Sequence, residues 1–95
     1  MAKKVIWTLQ ARARYKQIID FLLINWSEKQ AIEFTQIVDR KLFILSRFPS
    51  MGIRSGKEPK LRKLLITKHN RLLYEIHGAK IYLLDMHDTR QEGEN

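Results

Sequence analysis

The sequence contains no cysteine, and its hydrophobic runs are short. The absence of cysteine excludes disulfides, a thiolate nucleophile and zinc sites built on sulfur. The longest apolar runs, such as residues 21–24, contain four residues, whereas a membrane-spanning helix needs roughly 20. The start of the chain lacks the apolar stretch of a signal peptide, because Thr8, Gln10 and Arg12 interrupt it. We therefore expect a cytoplasmic protein, and nothing in the sequence indicates a metal or a cofactor.

Negative charge is also scarce. The 95 residues include 10 acidic side chains against 18 lysines and arginines, which gives a net charge of +8. Seven of the basic residues and a single acidic residue lie within residues 54–71, named here the basic segment. A surplus of this size favours a polyanionic partner: nucleic acid, an acidic protein or an anionic membrane surface.

The spacing of apolar residues predicts a strand followed by two helices. Residues 4–8 are rich in β-branched and aromatic side chains, which is typical of a strand. Apolar residues three and four apart predict helices over residues 9–26 and 28–48. Thr8 and Ser27 stand where N-cap residues are expected. Because the connection between the helices is so short, we expect an antiparallel helical hairpin.

Three strand-like runs follow a loop at residues 49–60 that holds both prolines. They cover residues 61–66, 70–77 and 80–87, and Gly78-Ala79 suits a hairpin turn between the last two. We expect an α+β fold of order β-α-α-β-β-β, with the helical hairpin packed on one face of a mainly antiparallel four-stranded sheet. A single domain would span residues 1–95, with residues 91–95 as a frayed tail. Arg71, and Arg62 or Lys63, would project from the open sheet face.

Four stretches of the sequence carry a family resemblance. Residues 48–52 read Phe-Pro-Ser-Met-Gly, and residues 61–64 read Leu-Arg-Lys-Leu. Residues 69–76 read His-Asn-Arg-Leu-Leu-Tyr-Glu-Ile, and residues 87–91 read His-Asp-Thr-Arg-Gln. In this order, the stretches resemble the RelE/ParE superfamily of toxins from bacterial type II toxin–antitoxin (plasmid stabilisation) modules. The resemblance implies a RelE/ParE-like fold and a toxin that a cognate antitoxin neutralises.

The resemblance also implies candidate catalytic residues. Arg71 matches a phosphate-contacting arginine of RelE-like enzymes, and Arg62 lies where RelE has a functional lysine. Arg90 matches an arginine of the final strand, and His87 resembles a histidine near the C-terminus of RelE-like nucleases. Metal-free RNA cleavage needs a base for the 2′-OH, a cation for the phosphorane and an acid for the leaving oxygen. Leu64 replaces a second RelE lysine, so the catalytic set is incomplete.

A second group of residues is predicted to bind phosphate or the target. These residues provide positive charge or an imidazole in and around the predicted strands: Arg54, Lys60, Lys63, Lys68 and His69. Arginine suits phosphate because its planar guanidinium pairs with two oxygens at once. A lone histidine in a turn is more often a surface residue, and that alternative stays open for His69.

Three functional hypotheses follow. A ParE-like toxin that binds an essential target such as DNA gyrase is favoured by the incomplete catalytic set and the two long helices before a basic loop. The alternative is a RelE-like, metal-independent endoribonuclease that cuts mRNA on the ribosome, so whether the chain is an enzyme stays open. A small basic nucleic-acid-binding module would explain the net positive charge, but it would not explain why the family-like sequence stretches occur in this order. For a toxin, we expect an acidic antitoxin segment over the basic segment, and no membrane partner.

Overall fold

The computed structural model describes residues 2–89, and its elements follow the predicted order except for a 3₁₀ turn and an additional short strand after the second helix. The first strand, β1 (Lys4–Trp7), leads into helices α1 (Leu9–Asn25) and α2 (Glu28–Arg47). A 3₁₀ turn (Pro49–Met51) comes next, followed by strands β2 (Ile53–Arg54), β3 (Leu61–Thr67), β4 (Asn70–His77) and β5 (Lys80–Asp88). Each predicted helix and strand ends within one residue of its observed bound. The tail expected at residues 91–95 lies outside the described residues.

The N-caps form as the sequence predicts. The hydroxyl of Thr8 accepts a hydrogen bond from the amide of Ala11 at 3.2 Å, and the hydroxyl of Ser27 accepts one from the amide of Gln30 at 3.1 Å. Each cap satisfies an amide that has no partner inside the helix. Thr8 also donates to the carbonyl of Leu83 at 2.6 Å, and so ties the start of α1 to β5. Neither helix within residues 2–89 is both long and apolar enough to cross a membrane.

The sheet has five strands in the order β1-β5-β4-β3-β2, rather than the predicted four. β1 runs parallel to β5, and the other neighbouring strands are antiparallel. The additional strand is β2, a two-residue edge strand inside the predicted loop.

Two side chains hold residues 49–52, which precede β2, against the sheet. Tyr74 donates to the carbonyl of Pro49 and accepts from the amide of Gly52, and Arg62 donates to the carbonyls of Ser50 and Gly52.

The helices cover one face of the sheet, and the hydrophobic core lies between the helical layer and the sheet. The largest fully buried apolar side chains come from both layers: Ile18, Leu22, Val38, Leu45, Leu72, Tyr74, Ile81, Leu83 and Met86. Cross-strand partners share a sheet face, so the register also identifies the residues of the opposite face. Lys63 pairs with Leu73, and Arg71 pairs with His87. We call the side of the sheet that carries these four residues the open face.

A register shift in the β4–β5 pair places His87 on the open face. Leu73 pairs with Asp85 and Tyr74 pairs with Leu83, so Leu84 is left without a partner in the ladder. Such a bulge moves the following residues to the other face of the strand. Met86 therefore stays in the core, whereas Asp85 and His87 come to the side of Leu73 and Arg71.

Candidate functional site

The open face contains a concave site formed by three strands and the loop between β2 and β3. This open-face pocket has a volume of about 350 Å³. Apolar side chains and basic side chains both line it, together with a serine, a glutamate and a histidine: Ser55, Lys57, Glu58, Leu61, Lys63, Arg71, Leu73 and His87. The hydroxyl of Ser55 accepts hydrogen bonds from the amides of Lys57 and Glu58, which fixes the loop at its rim. The structure thus brings together Lys63, Arg71 and His87, three of the predicted site residues.

The positive charge that Lys63 and Arg71 bring to the pocket is not neutralised by ion pairs within residues 2–89. Lys63 and Arg71 are exposed, and within residues 2–89 their side chains make no hydrogen bond and no ion pair. Lys57 is exposed as well, and its hydrogen bond to Ser55 uses the backbone amide. Glu58 is the only acidic side chain among the lining residues. Unpaired cations in a concave site raise the local positive potential and attract an anion.

The side chain of His87 has a defined partner on its own strand. Its Nε2 atom lies 3.2 Å from Oδ2 of Asp85, and the imidazole is about one-third exposed, at 37%. Asp85 is itself held by helix α1, because Nε of Arg14 lies 3.5 Å from its Oδ1 atom and the Gln10 amide lies 3.4 Å from Oδ2. A carboxylate accepts hydrogen bonds, so this contact requires the proton of a neutral His87 ring to be on Nε2.

Arg62 lies away from this site. Its register partner is Tyr74, so it belongs to the opposite side of β3 from Lys63. Its guanidinium donates to the carbonyl of Gly52 at 2.8 Å and to that of Ser50 at 3.2 Å. In this structure Arg62 therefore stabilises the segment before β2 and is not brought together with Arg71. Its catalytic role stays a prediction.

The sequence matches the family model described as "ParE toxin of type II toxin-antitoxin system, parDE" over residues 5–92. The match covers nearly the whole chain. This chain belongs to the ParE toxin family. This match confirms the resemblance to the RelE/ParE superfamily that the order of the sequence stretches indicated.

Solved structures show the fold of this ParE-family toxin in other proteins. The chromosomal ParDE system from P. aeruginosa matches with a TM-score of 0.77 and 19% identity, over 92% of this chain and 96% of that one. The RelBE2 toxin–antitoxin complex from Mycobacterium tuberculosis matches with a TM-score of 0.67 and 19% identity, over 93% and 99%. A free E. coli RelE variant matches with a TM-score of 0.64 and 13% identity, over 96% and 87%. No curated protein sequence matches significantly.

Four further candidate residues of this ParE-family chain lie apart from the open-face pocket. Arg54 is exposed on the edge strand β2, and Lys60 is exposed just before β3. Lys68 and His69 form the β3–β4 turn and line a separate groove of about 420 Å³ beside Trp26. Arg90 lies outside the described residues. The basic segment is therefore distributed over an edge, an open face and a turn.

A buried polar pair, not anticipated from the sequence, fixes the ends of β4 and β5. Asn70 and Asp88 are almost fully buried, and the Asn70 amide donates to Oδ2 of Asp88 at 2.9 Å. Thr67 donates to the Asn70 side-chain oxygen, and the amide of Thr89 donates to the carbonyl of His69. Buried polar groups need partners, and this pair supplies them. No signal in the sequence identified the pair, because its members are 18 residues apart.

The described residues contain no cluster of three or more histidine, cysteine or acidic side chains that could bind a metal ion. The sequence analysis missed Asp85 beside the pocket, and among the lining residues it did not single out Ser55, Lys57 and Glu58. A signal was present, because Asp85 and His87 are two residues apart on a predicted strand and hence face the same side. The chemistry available in the pocket is therefore anion binding by Lys63 and Arg71, beside an oriented imidazole.

Proposed function

We propose that this ParE-family toxin inhibits growth by binding an essential target such as DNA gyrase, and that a cognate antitoxin neutralises it. The observation that carries the proposal is the pair of uncompensated cations on the open face, Lys63 and Arg71, which a target can approach. A generic nucleic-acid-binding module would share the charge, but the match to the ParE toxin family over residues 5–92 favours a toxin.

The family also supports gyrase over the ribosome as the target. The sequence matches the ParE model, and the resemblance implies that ParE-like toxins act on gyrase. The structure separates Arg62 from Arg71, so these two residues considered for RNA cleavage do not meet. Binding without bond cleavage needs only the cations that the pocket does assemble.

Neutralisation by the antitoxin follows from the same charges. The basic segment exposes Arg54, Lys60, Lys63, Lys68 and Arg71. An acidic antitoxin segment laid over these side chains would reduce the net charge of +8 and cover the open face. It would thereby exclude the target sterically as well as electrostatically.

A supercoiling assay tests the proposed target. Purified protein added to DNA gyrase and relaxed plasmid should block supercoiling, and the variant Arg71→Ala should block it less. Arg40→Ala is the matched control, because Arg40 is an exposed arginine on α2 outside the pocket. Undisturbed supercoiling at all concentrations of wild-type protein would contradict gyrase as the target.

A RelE-like endoribonuclease is the second candidate, and one observation favours it. His87, whose imidazole is of the type that serves as a general acid or base, lines the same pocket as Arg71. Mapping of message ends in a cell-free translation reaction distinguishes the two candidates. Codon-dependent cuts that disappear with Arg71→Ala would establish the nuclease and overturn the gyrase proposal, whereas intact messages would eliminate the nuclease.

A further inference from the structure

One side of helix α2 packs in the core, and the opposite side presents apolar surface to solvent. On that opposite side, Phe43 is 62% exposed and Ile44 is 41% exposed. Residues three and four apart share a side of a helix, so Asp39 and Arg47 flank these two side chains. We call the surface formed by Asp39, Phe43, Ile44 and Arg47 the outer face of α2. The buried side of the helix is formed by Ala31, Phe34, Val38 and Leu45.

The outer face has a defined shape as well as apolar surface. A groove of about 350 Å³ lies beside Phe43 and Ile44. Cζ of Arg47 lies 4.9 Å from the centre of the Phe43 ring, a contact that holds the ring in place. Phe48, one helical turn after Ile44, is exposed and adds to the apolar surface. A single exposed apolar residue needs no explanation, whereas a contiguous patch marks an interaction site.

The distribution of charge favours a second copy of this chain as the occupant of the outer face. Helix α2 carries four basic and three acidic side chains, so it is nearly neutral although the whole chain has a net charge of +8. The cations of the open face, Lys63 and Arg71, lie on the other side of the sheet, and salt screens charges more than about 8 Å apart. An acidic partner would instead be drawn to the basic segment, where seven cations accompany one acidic residue.

The charges of the outer face are complementary to each other in an antiparallel pair of helices. Asp39 lies four residues before Phe43, and Arg47 lies four residues after it. When two copies of α2 pack antiparallel around a two-fold axis at Phe43, Asp39 of each copy lies level with the partner's Arg47, so the contact forms twice. Within residues 2–89 neither side chain makes an ion pair, so both charges are available to a second copy.

We propose that the protein forms a two-fold symmetric homodimer through the outer face of α2, with Phe43 of each copy packed against the groove of the other. One pair of helices covers less than about 1,200 Å², which is typical of weak and reversible association. The dissociation constant should therefore be micromolar, about 1–100 µM. Because the helices and the open face lie on opposite sides of the sheet, both open-face pockets remain accessible in the dimer. The inference does not depend on which target the toxin binds.

Sedimentation equilibrium of the full chain tests the homodimer, over protein concentrations from about 1 to 500 µM. Wild-type protein should change from monomer to dimer across this range, and Phe43→Ser should weaken the dimer about tenfold. Ile24→Ser is the matched control, because Ile24 is an exposed apolar residue on α1 outside the outer face, and it should leave the dimer unchanged. Circular dichroism verifies that both variants fold. A wild-type monomer at every concentration, or equal weakening by the control, would overturn the proposal.

Charge reversal tests the antiparallel arrangement. Asp39→Arg and Arg47→Glu each place like charges at both contacts, so each variant alone should dimerise about tenfold more weakly than wild type. An equal mixture of the two variants should form a heterodimer, because one variant then has two positive charges and the other two negative charges at the facing positions. A mixture that associates no better than the separate variants would overturn this arrangement.

Binding of the antitoxin is the other use that such a surface could have, and it gives a different result. If wild-type protein stays a monomer while Phe43→Ser lowers its affinity for the cognate antitoxin, the outer face binds the antitoxin and the homodimer is overturned. If Phe43→Ser weakens the dimer and leaves the affinity for the antitoxin unchanged, the outer face is an interface between two copies of this chain.

Discussion

Gly52 shows how a single residue position supports the edge of the sheet. A Cβ atom at this position would lie 2.6 Å from the hydroxyl oxygen of Tyr74 and 2.9 Å from the carbonyl oxygen of Lys63. The same hydroxyl accepts a hydrogen bond from the Gly52 amide at 2.9 Å and donates to the carbonyl of Pro49 at 2.6 Å. Glycine is therefore required by the close approach of Tyr74 to the backbone.

Gly52→Ala should lower the free energy of unfolding by about 2 kcal/mol, because the added methyl group must displace a buried ring or a strand. Urea unfolding of the full chain measures this difference. Gly56→Ala is the matched control, since no atom lies within 4 Å of its added Cβ, and it should change stability by less than about 0.5 kcal/mol. Equal effects of the two substitutions would contradict the packing described around Gly52.

Tyr74→Phe should also destabilise the protein by about 2 kcal/mol, because it leaves the buried amide of Gly52 without its acceptor. Tyr82→Phe is the control, since its half-buried hydroxyl has no hydrogen bond within residues 2–89. A loss no larger than that of Tyr82→Phe would contradict the role of the hydroxyl.

The Tyr74 hydroxyl also predicts a pH dependence. Burial raises the pKa of Tyr74 above its ordinary value of 10.0, and the hydrogen bond from Gly52 and the charge of Arg62 lower it in part. The unfolded chain therefore loses this proton first as pH rises, and stability falls above about pH 10. Tyr74→Phe should make this alkaline loss less steep, and burial of Tyr15 accounts for part of the remainder. The free energy of unfolding is measured by urea unfolding at several pH values above about 9. If it falls equally steeply with pH in the wild type and in Tyr74→Phe, the alkaline loss does not come from Tyr74.

At the scale of the elements, the sequence predicted what depends on local patterns. The helices follow from apolar spacing, and their starts follow from Thr8 and Ser27. The strand β2 could not be predicted, because its position depends on Tyr74 and Arg62, which are distant in the sequence from the backbone they hold. The bulge at Leu84 was also beyond periodicity, although it decides that His87 faces the pocket.

The two helix caps should differ in their contribution to stability. Ser27→Ala removes an N-cap and should cost about 1 kcal/mol. Thr8→Ala removes an N-cap and the hydrogen bond to Leu83, so it should cost about 2 kcal/mol. Thermal or urea unfolding of both variants provides the comparison. If Ser27→Ala lowers the free energy of unfolding more than Thr8→Ala does, the hydrogen bond between Thr8 and Leu83 contributes little to stability.

At the scale of the whole molecule, charge rather than shape was the property most visible in the sequence. The composition predicted a polyanionic partner, and the fold shows that the basic segment divides between β2, the open face and the β3–β4 turn. The candidate site was predictable only in part. Alternation along β3 and β4 places Lys63 and Arg71 on one face, whereas Arg62, which the resemblance groups with Arg71, belongs to the other. Sequence similarity alone does not reveal that division.

The net charge of +8 predicts the kinetics of antitoxin binding. Oppositely charged partners associate faster because their fields steer the encounter, and salt screens those fields. The association rate of the cognate antitoxin should fall about tenfold or more from low to high salt. Stopped-flow or surface-binding measurements provide the rate. A rate that does not change with salt would contradict the placement of an acidic segment over the basic segment.

The proposed function places toxicity on the open face, and growth arrest on induced expression is the readout that tests this placement. The double variant Lys63→Ala/Arg71→Ala removes the two unpaired cations that β3 and β4 contribute to the pocket, and Lys29→Ala/Arg40→Ala removes the same charges from exposed positions on α2. With equal expression and equal folding by circular dichroism, wild-type protein and the α2 double variant should arrest growth, and the open-face double variant should not. Arrest by the open-face double variant at the wild-type rate would contradict the claim.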